Sequence, residues 1–433
     1  MIDHLINLPA SWERMPLKFA SKIDTSGVWG GEPGENTYDL PTVTTANIDN
    51  IGRVNLSNAN IRSYNKYDSD YYKCRTGDII VVKASGSATS IITGKCAQCV
   101  DDDDDFCFGN FTLRIRAKRD TLDERFLFYF LISDVTKERI KVMVSTTTYP
   151  NLKVGEYIGH EIPSPPLETQ RRIAQLLDEK IARIDALIEK KRALLDRLAE
   201  KRQALITRAV TKGLNPDTPM KPSGIDWLGD IPAHWEVKRL KNITPKISVG
   251  IVVTPAAYYA EEGVLAIRGL NVKPMGFDFI DSRNISEEGH MLHIKSELYE
   301  GDLVSVRTGD PGTTTVITAE LEKTNCVDLI IIRRPKEAEP RFLGWFLNSD
   351  AAKVQYEMGS EGALQLHFNV ETSKEVTVAL PPASEQVEIV KYIDCGLNYE
   401  KGRAEKVARS VELLHEYRSA LITAAVTGQL EVA

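Results

Sequence analysis

The sequence predicts a mixed α/β chain: two globular halves, each followed by one long helix, with the two helices pairing antiparallel as a coiled coil in a pseudo-twofold internal repeat. Three observations predict it. First, Pro165-Pro166-Leu167-Glu168-Thr169-Gln170 and Ala204-Leu205-Ile206-Thr207-Arg208-Ala209-Val210-Thr211 return 216 residues later as Pro381-Pro382-Ala383-Ser384-Glu385-Gln386 and Ala420-Leu421-Ile422-Thr423-Ala424-Ala425-Val426-Thr427. Second, Leu177, Ile181, Ile184, Ile188, Lys191, Leu195, Leu198, Arg202, Leu205 and Ala209 step alternately by four and three, the heptad seam of a coiled coil. Third, short apolar runs such as Ile79–Val82 and Leu329–Ile332 have the length and β-branched content of strands.

These anchors divide the chain into residues 1–164, a first globular half; 165–214, a central helix; 215–380, a second half; and 381–433, a C-terminal helix. The first half opens on Leu8-Pro9-Ala10-Ser11-Trp12-Glu13, matched 223 residues later by Ile231-Pro232-Ala233-His234-Trp235-Glu236. Gly77-Asp78 before the strand Ile79–Val82 matches Gly301-Asp302 at an offset of 224. The aromatic helix starting at Arg125 matches the one starting at Arg341, again 216 apart. Small insertions therefore lie inside the globular halves, while the helices keep their length.

The central helix cannot begin before Pro165-Pro166, and Gly213 with Pro216 stops it. Its roughly 45 residues at about 1.5 Å each make a rod of about 65 to 70 Å. Leu176, Leu187 and Leu194 are expected to widen its apolar stripe. Such a stripe needs a partner, and the equivalent seam runs Ile393, Leu397, Glu400, Ala404, Val407, Val411, Leu414, Arg418, Leu421 and Ala425. Glu400, Gly396 and Gly402 weaken this second seam.

With 42% hydrophobic and 27% charged residues the chain has the composition of a soluble globular protein, expected in the cytoplasm. No stretch approaches the roughly 20 apolar residues of a membrane span, and Met1-Ile2-Asp3-His4 lacks a signal peptide's basic and apolar regions. Six cysteines at uneven positions do not suggest a disulfide framework. Cys96 and Cys99 with Cys74 and Cys107 have the residue types of a four-thiolate zinc site, but reduced buried thiols explain them more simply. The net charge of −7 counts mildly against a nucleic-acid partner. Yet the acids are concentrated locally, above all at Asp101 to Asp105, and the central helix is rich in Lys and Arg.

Two kinds of loop carry the residue types that approach phosphates and base edges. Lys83 and Ser85 follow the strand Ile79–Val82, and Arg307 and Thr308 stand at the matching place in the second half. Thr147, Tyr149, Asn151 and Lys153 precede the central helix, and Gln365, His367 and Asn369 precede the last one. Arg268 and Asn271 complete the candidate DNA-binding set. Turns favour many of the same residues for backbone reasons, so each position alone is also a plain surface loop.

Enzymatic signatures are weak. Asp217 with Glu236 and Lys238 loosely fits the metal-dependent nuclease pattern, but Asp217 lies in a linker and the sister copy has Glu13-Arg14-Met15 without the lysine. No phosphate-binding Gly-x-x-x-x-Gly-Lys-Ser/Thr loop occurs, nor an Asn or Asp before Pro-Pro-aromatic, and the seven histidines are scattered. Neither a catalytic nor a metal site is expected.

The frame resembles the DNA specificity subunit of Type I restriction-modification enzymes. The residues carrying the resemblance are Ile231 to Glu236, Gly301-Asp302-Leu303-Val304, Leu380-Pro381-Pro382 with Glu385-Gln386, and Leu205-Ile206-Thr207-Arg208-Ala209-Val210-Thr211-Lys212-Gly213-Leu214. The resemblance implies two target-recognition domains, each reading one part of a bipartite asymmetric double-stranded DNA site, with the paired helices fixing the unread spacer. It implies a non-catalytic chain with no cofactor of its own. Two modification subunits would bring S-adenosylmethionine, and restriction subunits would bring ATP and Mg²⁺. Arg192, Arg197 and Lys201 would lie on the docking surface. A specificity protein serving a stand-alone Type I-like methyltransferase, and a scaffold that binds no DNA, are the alternatives.

Overall fold

The structure, a computed structural model, describes residues 8–87, 90–100, 105–145, 150–358 and 369–431. The chain divides into two compact units, Met1–Lys191 with Arg409–Ala433, and Arg192–Ala408. Both divisions fall inside a long helix, so each unit holds one globular part together with a portion of each helix.

In the first unit, Ser21–Asp24 (β1), Ile79–Val82 (β2), Cys96–Gln98 (β3) and Thr112–Ala117 (β4) form an antiparallel sheet in the order β1-β4-β2-β3. All four residues of β2 are buried because both faces are covered. Ile79 and Val81 face one core, which includes Phe126, Phe130 and Leu177, while Ile80 and Val82 face another, which includes Val43 and Phe108. The aromatic helix Glu124–Ile132 (α1) starts where Asp123 accepts from the backbone N–H groups of Arg125 and Phe126 at 3.0 and 2.9 Å. It is followed by Asp134–Met143 (α2) and the long helix Leu167–Lys212 (α3).

The second unit repeats this topology. Ile247–Val249 (β5), Leu303–Val306 (β6), Thr314–Val316 (β7) and Leu329–Ile332 (β8) form an antiparallel sheet in the order β5-β8-β6-β7. Pro340–Leu347 (α4), Asp350–Met358 (α5) and Ala383–Val426 (α6) follow. The repeat extends to individual side chains. Buried Asp78 holds Arg116 through two 2.6 Å bonds, and buried Asp302 holds Arg333. The glycines before these aspartates, Gly77 and Gly301, have φ of +88° and +84°, a left-handed turn costly for other residues.

The motifs that open the long helices are clamps. Buried Gln170 accepts from the N–H of Asp123 at 2.8 Å and donates to the carbonyls of Thr121 and Pro165. Gln386 does the same with Glu339, Glu337 and Pro381. The closing motif is a clamp too. Thr423 Oγ1 accepts from the N–H of Asp134 at 3.1 Å in the first unit, as Thr207 Oγ1 does from Asp350 at 3.0 Å in the second.

Within each unit the two helices meet side by side. Arg418 pairs with Asp185 at 2.9 Å in the first. In the second, Lys201 pairs with Glu400 at 2.9 Å, and Leu205 lies against Gly396, so partner numbers fall as helix numbers rise. Glu400, expected to weaken the seam, is thus a nearly buried acid held by Lys201 and Arg403, and the Lys201 bond leads in lowering its pKa. Gly396 makes room for Leu205: a Cβ there would stand 3.3 Å from its Cδ1. Three expectations about the stripe differ from the structure. Leu187 and Leu194 are exposed, and Arg202, placed on the seam by the heptad count, faces solvent. Periodicity marks a stripe but does not decide which of its edges is covered.

Candidate nucleic-acid interface

The first unit brings its two candidate loops together. The N–H of Leu152 donates to the Lys83 carbonyl at 2.8 Å, and Ala84 bridges Asn151. Thr93 Oγ1 lies within hydrogen-bonding distance of the carbonyls of both Ser85 and Pro150, at 3.1 and 3.0 Å. Lys83 Nζ reaches the Thr25 carbonyl at 3.2 Å, and burial lowers its pKa. Asn151 and Lys153 are exposed, the latter beside Glu156 at 3.3 Å. Behind this edge Asp24 accepts from Arg114 at 3.0 and 2.7 Å and from the Tyr71 hydroxyl at 2.8 Å. Burial alone would raise the Asp24 pKa, but those hydrogen bonds hold it below the usual value.

The second unit places its two candidate loops on one cleft. Arg307, directly after β6, pairs with Asp328 at 2.8 Å and lines a surface cleft with Asn369. Asn369 accepts from the N–H of Thr372 at 2.8 Å, capping the helix Val370–Glu375. Lys83 and Arg307 are 224 apart and Lys153 and Asn369 are 216 apart, so both units bring the same two chain positions into one region. Thr308 is exposed beside Arg307, and its carbonyl approaches Gly269.

Arg268 and Asn271 have structural occupations. Asn271 is buried; its Oδ1 accepts from the Arg268 N–H at 3.0 Å and its Nδ2 donates to the Asp278 carbonyl at 2.9 Å. Arg268 donates to the Asp281 carbonyl at 2.5 Å and pairs with the Asp281 carboxylate at 3.0 Å. Thr147, Tyr149, Gln365 and His367 lie outside the described residues.

Thr45 was not among the sequence candidates, yet its hydroxyl accepts from Ser85 at 3.2 Å. It belongs to a turn in which buried Asn47 plays the part of Asn271, accepting from the N–H of Thr44 at 2.9 Å and donating to the Asn55 carbonyl at 3.0 Å. Asn47 and Asn271 are 224 apart, the offset already set by Gly77 and Gly301, so the signal was present but short.

The alternative chemistries do not assemble. Cys96 faces the core containing Phe126, whereas Cys74 and Cys99 face the one containing Phe108. Among the described residues no group of three His, Cys, Asp or Glu could hold a metal ion. Lys238 is shared between Glu236 at 2.8 Å and Glu337 at 2.5 Å, and the backbone N–H of Asp217 is bonded to Asn215. Asp105 pairs with Lys73; the rest of the acidic run lies outside the described residues. No helix among the described residues is long and apolar enough to cross a membrane.

Comparison with known proteins gives these paired loops a context. A family model of the Type I restriction modification DNA specificity domain matches residues 34–197. The chain is 22% identical over 446 residues to the Type I restriction enzyme EcoKI specificity subunit of Escherichia coli strain K12, spanning 98% of this chain and 90% of that protein. Over residues 34–197 the chain matches the Type I specificity domain, and along nearly its whole length it is similar to a Type I specificity subunit. The EcoBI specificity subunit of Escherichia coli is 24% identical over 325 residues, spanning 73% of this chain and 68% of that one. A solved chain from work on complex assembly and conformational transition of the type I R-M system has a TM-score of 0.73 at 19% identity, over 98% of this chain and 100% of that chain. The HsdS subunit from Thermoanaerobacter tengcongensis has a TM-score of 0.50 at 18% identity, over 98% of each. These likenesses show a shared mixed helix and strand fold.

Proposed function

We propose that this specificity subunit reads a bipartite, asymmetric double-stranded DNA site. Residues 1–164 take one part and residues 215–380 the other. The helical segments 165–214 and 381–433 pair as a coiled coil in a pseudo-twofold repeat, set the unread spacer and dock two modification subunits, which hold S-adenosylmethionine. Restriction subunits using ATP and Mg²⁺ complete the enzyme. The observation that carries this reading is the recurrence of one loop pair in both units: Lys83 beside the Asn151–Lys153 segment, and Arg307 beside Asn369. Cations and amides on matched loops suit contact with phosphates and base edges, while the divergence of the surrounding sequence suits two different half-sites.

The test is selection from a duplex library in which two randomised blocks are separated by spacers of varied length, using the chain with its modification subunit. Two short sequences at one fixed spacing, with binding that weakens steeply with salt, are expected. Exchanging residues 1–150 for another such domain should change one block only. Adding one heptad to both helices should lengthen the selected spacing. A chain that binds without sequence preference, or an exchange that alters both blocks, would refute the reading.

A further inference from the structure

Each unit delivers the chain to the same place, and there the two copies part. Just beyond β1 and β5 stand Gly27 and Gly250, 223 residues apart. A Cβ on Gly27 would overlap the Phe108 carbonyl oxygen, and one on Gly250 the Cys326 carbonyl oxygen, so only glycine lets the chain pass. The next residues donate to those same carbonyls, Val28 to Phe108 at 3.2 Å and Ile251 to Cys326 at 2.9 Å. This delivery is a demand of the fold, met alike in both copies.

What emerges differs in kind. In the first unit the chain turns back onto the strand Asn60–Tyr64, where Gly31 and Ser63 exchange backbone hydrogen bonds of 2.8 and 3.1 Å. Arg62 covers Trp29, 4.6 Å from the ring centroid, and pairs with Glu32. In the second unit Val252 and Val253 emerge instead, 43% and 70% exposed. Thr254 beyond them has a φ of +41°, a left-handed conformation that a β-branched residue adopts only at a cost in energy. The valines thus forgo the burial that would reward them, and the strain that follows them has no return within the unit.

Their place is fixed against the candidate DNA loops. The Ile251 carbonyl accepts from the Asp328 N–H at 3.0 Å, and the Asp328 carboxylate holds Arg307 at 2.8 Å. Val252 lines one cleft of about 370 Å³ with Arg307, Asn369 and Glu371. Carboxylates accompany the cation there, Asp328 bonded to it and Glu371 paired with Lys374, so charge does not choose what the valines meet. The chemistry of base edges does. In the major groove thymine alone presents an apolar group, its 5-methyl, while the other edge positions are hydrogen-bond donors or acceptors.

We propose that Val252 and Val253 read a thymine in the second half-site through its 5-methyl group. The inference rests on the function proposed above and deepens it by naming a base and the side chains that recognise it. The first unit has Trp29 under Arg62 at the matching place, so methyl reading at this point of the fold belongs to one half-site only.

The experiment uses the full chain with its modification subunit and the duplex it selects. In the half-site that survives exchange of residues 1–150, each thymine on either strand is replaced in turn by deoxyuridine, which removes the methyl and keeps the base pair. One replacement should weaken binding about tenfold. Val252→Ala with Val253→Ala should lose about the same on the thymine duplex, bind the two duplexes alike and keep the salt dependence of wild type. Val252→Ile with Val253→Ile retains the apolar surface and should retain the preference, so a folding defect in the alanine pair does not decide the outcome. A half-site without thymine, or one in which no deoxyuridine is felt, would overturn the methyl reading and leave the bipartite function standing. A thymine preference that the alanine pair keeps in full would do the same. A chain that selects no bipartite site would remove both readings.

Discussion

Replacing Gln170 by Ala tests the idea that the repeated Pro-Pro-x-x-x-Gln motif is a clamp. The side chain is buried, with an acceptor bond of 2.8 Å from the Asp123 N–H and donor bonds of 3.1 and 2.8 Å to the Thr121 and Pro165 carbonyls. Each such bond contributes about 1 kcal/mol net, and leaving buried partners unpaired adds to the loss, so the truncation should cost roughly 3 to 4 kcal/mol. Gln386→Ala should cost a similar amount, because its three bonds are to the same positions in the second copy. The two losses should add, since the sites lie in different units and share no partner. Native-state hydrogen exchange at the Asp123 and Glu339 amides, alongside urea unfolding, reads both the local and the global effect. Gln170→Glu sharpens the test. A carboxylate keeps the bond from Asp123 but turns an oxygen toward two carbonyls, so the acid would be protonated in the fold and its folded pKa raised. The variant should therefore lose stability as pH rises above the ordinary glutamate range and regain it as pH falls. A cost below about 1 kcal/mol for Gln170→Ala, or a Glu variant indifferent to pH, would refute the clamp.

Gly402→Ala should stabilise the last helix by about 0.5 to 1 kcal/mol, because a Cβ there meets nothing within 4 Å, whereas Gly396→Ala should gain less or lose because of Leu205; thermal unfolding of both variants checks the contrast. Burial lowers the His160 pKa from 6.5 to about 4, so the ring is neutral in the fold and charges only on unfolding between those values. Stability should fall as pH drops from 6.5 toward 4, by up to about 3 kcal/mol, and His160→Leu should remove that part of the slope in urea titrations at pH 7 and pH 4.5. Asp24→Ala should cost about 3 to 5 kcal/mol by stranding the buried Arg114, while Asp24→Ala with Arg114→Met should recover part of the loss; equal losses for single and double variants in urea unfolding would count against the pair.

The helices were legible in the sequence because their limits are set by residues with hard steric rules. Helical spans of Leu167–Lys212 and Ala383–Val426 lie just inside the limits expected from Pro165-Pro166, Gly213 and Pro381-Pro382. The side-chain economy of the seam was not legible. Glu400 looked like a flaw because the sequence does not reveal that Lys201 is opposite it. Asn271 was offered as a reader, and its residue type alone does not reveal that the same amide ties a turn to the Asp278 carbonyl. Thr45 was missed because nothing near it in sequence places Ser85 within reach. In the globular parts the partners are distant along the chain, so residue type at one position constrains little.

What the duplication supplies instead is an internal control on interpretation. When a repeated residue keeps its partner in both copies, as Gln170 and Gln386 do, the demands of the fold are enough to explain it. When neither residue nor partner persists, as around residues 28–38 and 252–263, the demand differs between the halves. Lys83 and Arg307 form a third class, in which the charge persists and its internal contacts change: a backbone carbonyl of Thr25 for one, the carboxylate of Asp328 for the other. A cation retained through such a change of local surroundings fits the proposed function, in which a phosphate backbone, the same at every DNA sequence, would require positive charge at that place in each half. It follows that Lys83→Ala and Arg307→Ala should each weaken DNA binding and lower its salt dependence while leaving the selected bases unchanged. A shift in base preference at either half-site would instead assign that residue to direct reading.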